Sequence, residues 1–253
     1  MSHTEAPVFH AILRALMPGP ILLTDKQGQH DHQLVHRFVG ETKAGMQMVL
    51  KTDRPAKPVQ NRLFDGDCRA GGQGRALLGS VRLPELDSAI VGCWNVRENH
   101  VDNKVDDWIT ADDLMDTLAP SNLVGEYLVY KPGYCSESTW ALWSPKPVES
   151  KRRIMHLTLN HLAAETILVV RIRELQIDGQ DVKVALCGLV DKFAGLVGIS
   201  DVRVGSTGKS RVVVIKSVVL RCASAYAHTL SQTPQTLGLL ACPVESNVPG
   251  HSA

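Results

Sequence analysis

The sequence predicts an α+β fold that is predominantly β, built from antiparallel hairpins with a few short helices. β-branched and aliphatic residues are densest over residues 154–226, where they alternate with polar residues at a period of two and are separated by turn-forming residues. Aromatic residues make up only 5% of the chain. We therefore expect a core of Val, Leu, Ile and Ala, which favours a sheet over aromatic-rich platforms for carbohydrates or nucleobases.

The clearest single element is a hairpin within residues 166–186. Its first strand places three aliphatic side chains on one face: Leu168, Val170 and Ile172. Asp178-Gly179 then supplies the pair of positive-φ positions that a tight type I′ turn requires. Alternation resumes over residues 181–186, so the two runs are expected to pair as antiparallel strands.

The chain after this hairpin is expected to form a helix and then a second hairpin. Apolar residues recur at three- and four-residue spacing over 186–197, which predicts a short helix. Residues 201–204 and 211–220 predict two strands around the turn at 205–210. That turn reads GSTGKS, but it lacks the leading glycine and the following helix of a phosphate-binding loop, so we interpret it as a hairpin tip.

In the first half of the chain, the pattern predicts a helix over residues 4–17, with Thr4 as its cap and Pro18 as its stop. Strands are predicted at 20–24, 34–39, 89–94, 123–130 and 139–143. A second helix is expected to begin at Thr110, where Asp113 completes a variant of the capping box, and to end near Leu118. The aspartates around it are interpreted as a solvated face that favours the helix N-terminus.

The composition of three stretches predicts two lobes and a tail. Residues 1–147 form the N-terminal lobe, with a long mobile loop rich in Gly, Pro and basic residues around 51–80. A Pro-rich joint precedes a β-rich C-terminal lobe over 148–230. Residues 231–253 are expected to be a flexible tail.

Charge and hydropathy limit the possible functions and locations. The net charge is +1, which does not indicate wholesale binding of nucleic acid. No apolar run is long enough to predict a transmembrane segment, and no signal peptide is evident, so we expect an intracellular, cytoplasmic protein. The six cysteines have no metal-knuckle or redox spacing and are expected to be thiols. No cofactor is predicted.

Two clusters are candidate binding sites. Three consecutive basic residues, Lys151, Arg152 and Arg153, predict a surface for an anion or nucleic acid, although a solvated strand entry is the simpler interpretation. His30, His32 and His36 have even spacing, so on a strand their imidazoles would share a face and could bind a metal. Surface composition is the alternative explanation for the histidines.

No nucleophile elbow, dinucleotide fingerprint or zinc-protease motif is present, so the sequence favours a non-enzymatic protein. The hypothesis is a structural or interaction protein that self-associates, such as a viral matrix, coat or movement-type protein. One alternative is a metal-dependent enzyme that uses the His30, His32 and His36 loop. Another is a protein that binds nucleic acid or an anionic membrane surface through its basic segments.

Overall fold

The computed structural model describes residues 5–42, 45–59, 62, 75–97, 104–118, 125–145, 152–177, 180–189, 191–207, 210–217, 225–230 and 237–241. Antiparallel strands dominate these residues and the helices are short, so the predicted α+β, predominantly β fold is confirmed. The helices are α1 (Pro7–Ala15), α2 (His32–His36) and α3 (Ala111–Leu118), with 3-10 turns at Pro84–Leu86 and Gly195–Gly198.

The strands of the described part of the chain are β1 (Val39–Glu41), β2 (Gln47–Val49), β3 (Lys57–Pro58), β4 (Leu77–Leu83), β5 (Ser88–Trp94), β6 (Val105–Thr110), β7 (Tyr127–Lys131), β8 (Thr139–Trp143), β9 (Arg153–Leu159), β10 (Ala164–Ile177), β11 (Gln180–Leu189), β12 (Ile199–Thr207), β13 (Ser210–Ser217), β14 (Ala225–Leu230) and β15 (Leu237–Ala241).

Nine of these strands form one sheet organised around the long strand β10. Its path runs β15-β14-β11-β10-β5-β4-β3, and β7 pairs with β10 and carries β8 at its other edge. Three antiparallel ribbons, β1–β2, β6–β9 and β12–β13, complete the described strands. Because β10 pairs with both β5 and β7, strands from either side of residue 148 share this sheet. The division into two lobes stays a prediction.

Both faces of the central strands are covered. All seven residues of β5 are buried. On one face, Ile90 and Trp94 pack in a core with Leu16, which follows α1. On the other face, Val91 packs in a second core with Leu114 of α3 and with the inward side chains of the β6–β9 ribbon. Burial of each large aliphatic side chain contributes about 1.5–3 kcal/mol, so the two layers fix the sheet between them.

A pair of glycines makes room for Trp94 beneath α1. Gly79 of β4 and Gly92 of β5 are directly opposite each other in the sheet. A Cβ atom at Gly92 would lie 2.2 Å from Cη2 of Trp94 and 2.7 Å from Cδ1 of Leu16. The indole therefore occupies the space that a side chain at Gly92 would fill, and the helix packs against that arrangement.

The structure confirms the strongest local predictions. Strands β10 and β11 pair with Ile177 opposite Gln180, although the two turn residues between them lie outside the described residues. Strands β12 and β13 form the second predicted hairpin. At the start of α3, the Thr110 amide donates to Asp113 Oδ2 over 2.9 Å, as the capping box requires.

Three local predictions were wrong. Residues 20–24 form no strand, and the strand predicted at 34–39 is instead the helix α2 followed by β1, because Asp31 Oδ1 accepts the Leu34 amide over 3.0 Å and caps that helix. The helix predicted over 186–197 is absent, since β11 continues through a bulge to Leu189 and pairs with β14. Gly188, with φ of 68°, favours this irregular backbone over a helix.

Further expectations concerned the first helix, the cysteines, the loop and the tail, and membrane-spanning segments. Helix α1 is present but begins at Pro7, with Ala6 at its N-cap position where Thr4 was predicted. Cys93, Cys135 and Cys187 are free thiols, and burial raises the pKa of Cys187 to about 12. Residues 60–61 and 63–74 of the predicted loop at 51–80, and the predicted tail over 231–253 except β15, lie outside the described residues. No helix in the described ranges has the length and apolarity needed to cross a membrane.

Replacing Gly92 with Ala is expected to lower the free energy of unfolding by about 1–3 kcal/mol, because the new methyl group overpacks the site of Trp94 and Leu16. Chemical denaturation measures the change, and the fluorescence of Trp94 reports the displaced ring. The control is Gly19→Ala, where a Cβ atom meets nothing within 4 Å. Equal stability of the two variants would contradict the packing argument.

Candidate functional site

A groove of about 380 Å³ opens where β8 and β9 approach each other. Strand β8 contributes Thr139, Trp140 and Ala141, and β9 contributes four residues from Ile154 to Thr158. Trp140 remains 44% exposed, whereas Lys131, at the end of β7, also lines the groove but is only 5% exposed. The groove therefore combines an accessible indole with a charged side chain that the fold holds in place.

The β6–β9 ribbon presents an ordered row of polar side chains beside this groove. Asp106 is opposite Thr158, and Trp108 is opposite His156. Asp106 Oδ1 lies 2.6 Å from His156 Nε2 and accepts the Thr158 hydroxyl over 3.0 Å. The Thr158 hydrogen bond, supported by His156, holds the pKa of Asp106 below its ordinary value. The carboxylate therefore stays ionised and orients both partners.

An aromatic and a cationic group extend the same face. The ring centroids of Trp108 and His156 are 4.9 Å apart, with the rings tilted by 47°. The guanidinium of Arg153 lies 5.5 Å from the centroid of the Trp108 ring, in the geometry of a cation–π contact. Period-two alternation on β6 and β9 explains why Trp108 and His156 share the outer face, while Ile109 and Leu157 face the core. Arg153 lies beyond the register shift that separates Ile109 from Thr110, so this alternation does not extend to it.

A separate buried cluster is centred on Arg62. This fully buried guanidinium donates to both carboxylate oxygens of Asp113, at 2.9 and 2.6 Å, and to the Trp108 carbonyl at 2.7 Å. It also pairs with Asp107. Burial opposes the charge on Arg62, but the two carboxylates outweigh it and raise its pKa. For Asp113, burial is likewise outweighed by Arg62, which lowers the pKa of that carboxyl.

The Arg62 cluster is a structural site that links separate segments. Asp107 Oδ2 accepts the Ala76 amide over 3.0 Å, so the same cluster holds the residue that precedes β4. The side chain of Asp113 is 2% exposed and that of Asp107 is 11% exposed. The prediction that these aspartates form a solvated face was therefore wrong for both, because Arg62 supplies a buried partner 51 residues away from Asp113.

Glu165 is a second buried carboxylate with a structural task. It accepts the Tyr134 amide over 2.9 Å, the Cys135 amide over 2.5 Å and the Ser136 hydroxyl over 3.1 Å. Burial raises the pKa of Glu165 above its ordinary 4.5. Its contribution to stability therefore decreases as the pH rises through that raised value, the reverse of the Asp113 case. Glu165 fixes the loop between β7 and β8, which borders the groove.

The three histidines predicted as a metal site do not converge. His30 Nδ1 lies 3.4 Å from Asp25 Oδ2, His32 begins α2, and His36 Nδ1 lies 3.0 Å from the buried amine of Lys192. Residues 32–36 form a helix in which His32 and His36 are one turn apart and line a groove with Asp191, but His30 is not part of that lining. Within the described ranges, no group of three or more His, Cys, Asp or Glu side chains could hold a metal ion.

The predicted basic site is only partly described. Lys151 lies outside the described residues. Arg152 is exposed, and its carbonyl accepts the Ala111 amide over 2.9 Å. Arg153 opens β9 and is placed over Trp108. Binding of an anion or nucleic acid at Lys151, Arg152 and Arg153 stays a prediction, as do self-association and contact with an anionic membrane.

Comparison with known proteins decides the family. The family model described as "Raffinose synthase or seed imbibition protein Sip1" matches residues 1–239 of the chain. This chain belongs to the raffinose synthase/Sip1 family. No curated protein matches it. Among solved structures, alpha-galactosidase I from Mortierella vinacea is similar at 13% identity and a TM-score of 0.42, over 66% of this chain and 36% of that one. The chain thus spans about a third of that structure.

Membership of the raffinose synthase/Sip1 family corrects the functional hypothesis. The description of the family model names a synthase, which is an enzyme, and names no structural or viral protein. The expectation that the protein is a structural protein of the viral matrix, coat or movement type was therefore wrong. The cause is that absent linear motifs say little about carbohydrate-acting enzymes, whose working residues meet in space and have no fixed spacing along the chain. The described residues also offer no ligand group for the metal-dependent alternative, whereas self-association and binding through the basic segments stay predictions.

Sequence reasoning also missed the groove between β8 and β9. The segments VDDWIT and RIMHLTL alternate polar and apolar residues, which was a usable signal for two half-exposed strands. Nothing in either segment indicates that β6 pairs with β9, more than 40 residues later. Without that pairing, Asp106, His156 and Thr158 could not be recognised as one network.

Replacing Arg62 with Met is expected to lower the free energy of unfolding by about 3–5 kcal/mol, because two buried carboxylates lose their cation. Urea denaturation measures the change. Arg54→Met is the matched control, since the Arg54 side chain is 69% exposed. A loss for Arg62→Met no larger than that for the control would show that the buried cluster does not stabilise the fold.

Asp113 predicts how stability changes with pH. Its pKa is below the ordinary 3.8, so its ionised form stabilises the fold above that value, and the contribution is lost as the pH falls through the lowered pKa. We expect the loss of unfolding free energy between about pH 5 and about pH 2 to be smaller in Asp113→Asn than in the parent. Asp53→Asn, at a side chain 80% exposed, is expected to keep the parental pH dependence. Identical curves for parent and Asp113→Asn would refute this assignment.

Proposed function

We propose that this chain functions in a carbohydrate-active enzyme of the glycoside-hydrolase type, which forms or cleaves glycosidic bonds of raffinose-like oligosaccharides. The observation that carries the proposal is the family match, which extends over residues 1–239 of 253. It includes most of the sheet and both of its covering layers. Raffinose is a trisaccharide in which a galactosyl group is linked to sucrose, so the bond of interest is a galactosyl linkage.

The chemistry of glycoside hydrolysis indicates which roles the buried carboxyl groups of the described residues can have. Glycoside hydrolysis uses a pair of carboxyl groups that flank the scissile bond, one as acid and the other as nucleophile or base. The buried carboxylates Asp107, Asp113 and Glu165 are engaged by Arg62 or by the amides of residues 134 and 135. We assign these three carboxylates to stabilising the fold and not to cleaving the bond.

The proposal predicts that the natural protein carrying this sequence converts galactosyl oligosaccharides. Incubation with raffinose, followed by chromatographic separation of the sugars, is expected to yield sucrose together with either galactose, when water accepts the galactosyl group, or a longer sugar, when a second sugar accepts it. Trehalose, which has no galactosyl group, is the control substrate. Folded protein that leaves raffinose and other galactosyl sugars unchanged, and that does not bind them, would overturn the proposal.

A further inference from the structure

We infer that the groove between β8 and β9 is an oligosaccharide-binding site, with Trp140 as the platform for a sugar ring and Lys131, His156 and Thr158 as hydrogen-bonding groups. This inference rests on the proposed function for the identity of the ligand. It goes beyond that function because it names the side chains of β7, β8 and β9 that would contact the sugar.

The first argument is the exposed indole. Trp140 lines the groove and keeps 44% of its surface accessible, although Trp143 on the same strand is buried at 2%. A large exposed aromatic residue loses hydrophobic stabilisation unless another surface covers it. Sugar rings have an apolar face of C–H groups and a polar rim of hydroxyls, which fits an indole placed beside hydrogen-bonding side chains.

The second argument is the preorganised polar wall. Asp106 binds both His156 and Thr158, at 2.6 and 3.0 Å, so one carboxylate orients these two groove residues toward each other. Lys131 is held by a 2.9 Å hydrogen bond to Ser136 and is 5% exposed. Its ammonium has three donor hydrogens, so it can donate to a ligand hydroxyl as well. Fixed hydrogen-bonding groups reduce the entropic cost of binding.

The third argument concerns the charged side chains of the groove and its volume. Lys131 is accompanied in the groove by Glu137, and Asp106 adjoins the wall. Mixed charges favour a neutral polyhydroxyl ligand over a phosphate, which the carboxylates would repel. The volume of about 380 Å³ is within the range, roughly 300–1,000 Å³, of small-molecule sites. Because the groove is open to solvent, an oligosaccharide could extend beyond it.

The test measures raffinose binding to the full-length protein by isothermal titration calorimetry. Trp140→Ala is expected to weaken the affinity by about tenfold or more, since it removes the aromatic platform. His156→Ala is expected to weaken it in the same direction. The matched control is Leu142→Ala, on the same strand and 41% exposed but outside the groove lining, which is expected to bind like the parent. Sorbitol, which has hydroxyls but no ring, is expected not to bind.

The outcomes separate this inference from the proposed function. A protein that converts raffinose but binds it equally well in the parent, Trp140→Ala and His156→Ala forms would overturn the groove and leave the proposed function standing. A protein that neither converts nor binds galactosyl sugars would overturn both. Circular dichroism of each variant confirms folding, and Trp140→Phe, which keeps an aromatic ring, is expected to restore part of the affinity.

Discussion

The rest of the structure depends on the burial of β5 and β10 on both faces. Their alternate side chains enter two different cores, one beneath α1 and the other beneath the β6–β9 ribbon and α3. A strand covered on both sides cannot slip by one residue without exchanging the contents of the two cores. This constraint sets the register of the sheet, and the register in turn places β7 and β8 where the groove forms.

Two buried carboxyl groups, Asp113 and Glu165, also hold the fold together, and their pKa values shift in opposite directions. Arg62 compensates two carboxylates, so charge attraction outweighs desolvation and lowers the pKa of Asp113. Glu165 has backbone amides and a hydroxyl as partners, so desolvation dominates and its pKa rises. Both groups join segments that local interactions could not hold together. Each therefore contributes to specifying the fold through hydrogen bonds that would be costly to leave unmade.

The proposed carbohydrate role gives a consistent meaning to features that packing does not require. The sheet needs Trp143 and Tyr127 in its core, but it does not need an exposed Trp140 or an ordered row of Asp106, His156 and Thr158 on its outer face. A low aromatic content made a sugar platform seem unfavourable. Composition is an average over the chain, whereas a binding site needs only one or two indoles at a suitable position.

By itself, the sequence determined the fold class, the hairpins β10–β11 and β12–β13, and the capping box of α3. These depend on alternation, turn residues and contacts three residues apart, which are local. Only the tertiary structure decided that Asp113 is buried against Arg62, that His30, His32 and His36 do not form a set of metal ligands, and that His156 meets Asp106. Such contacts join residues far apart in the chain, and their partners are chosen by the packing of whole strands and helices.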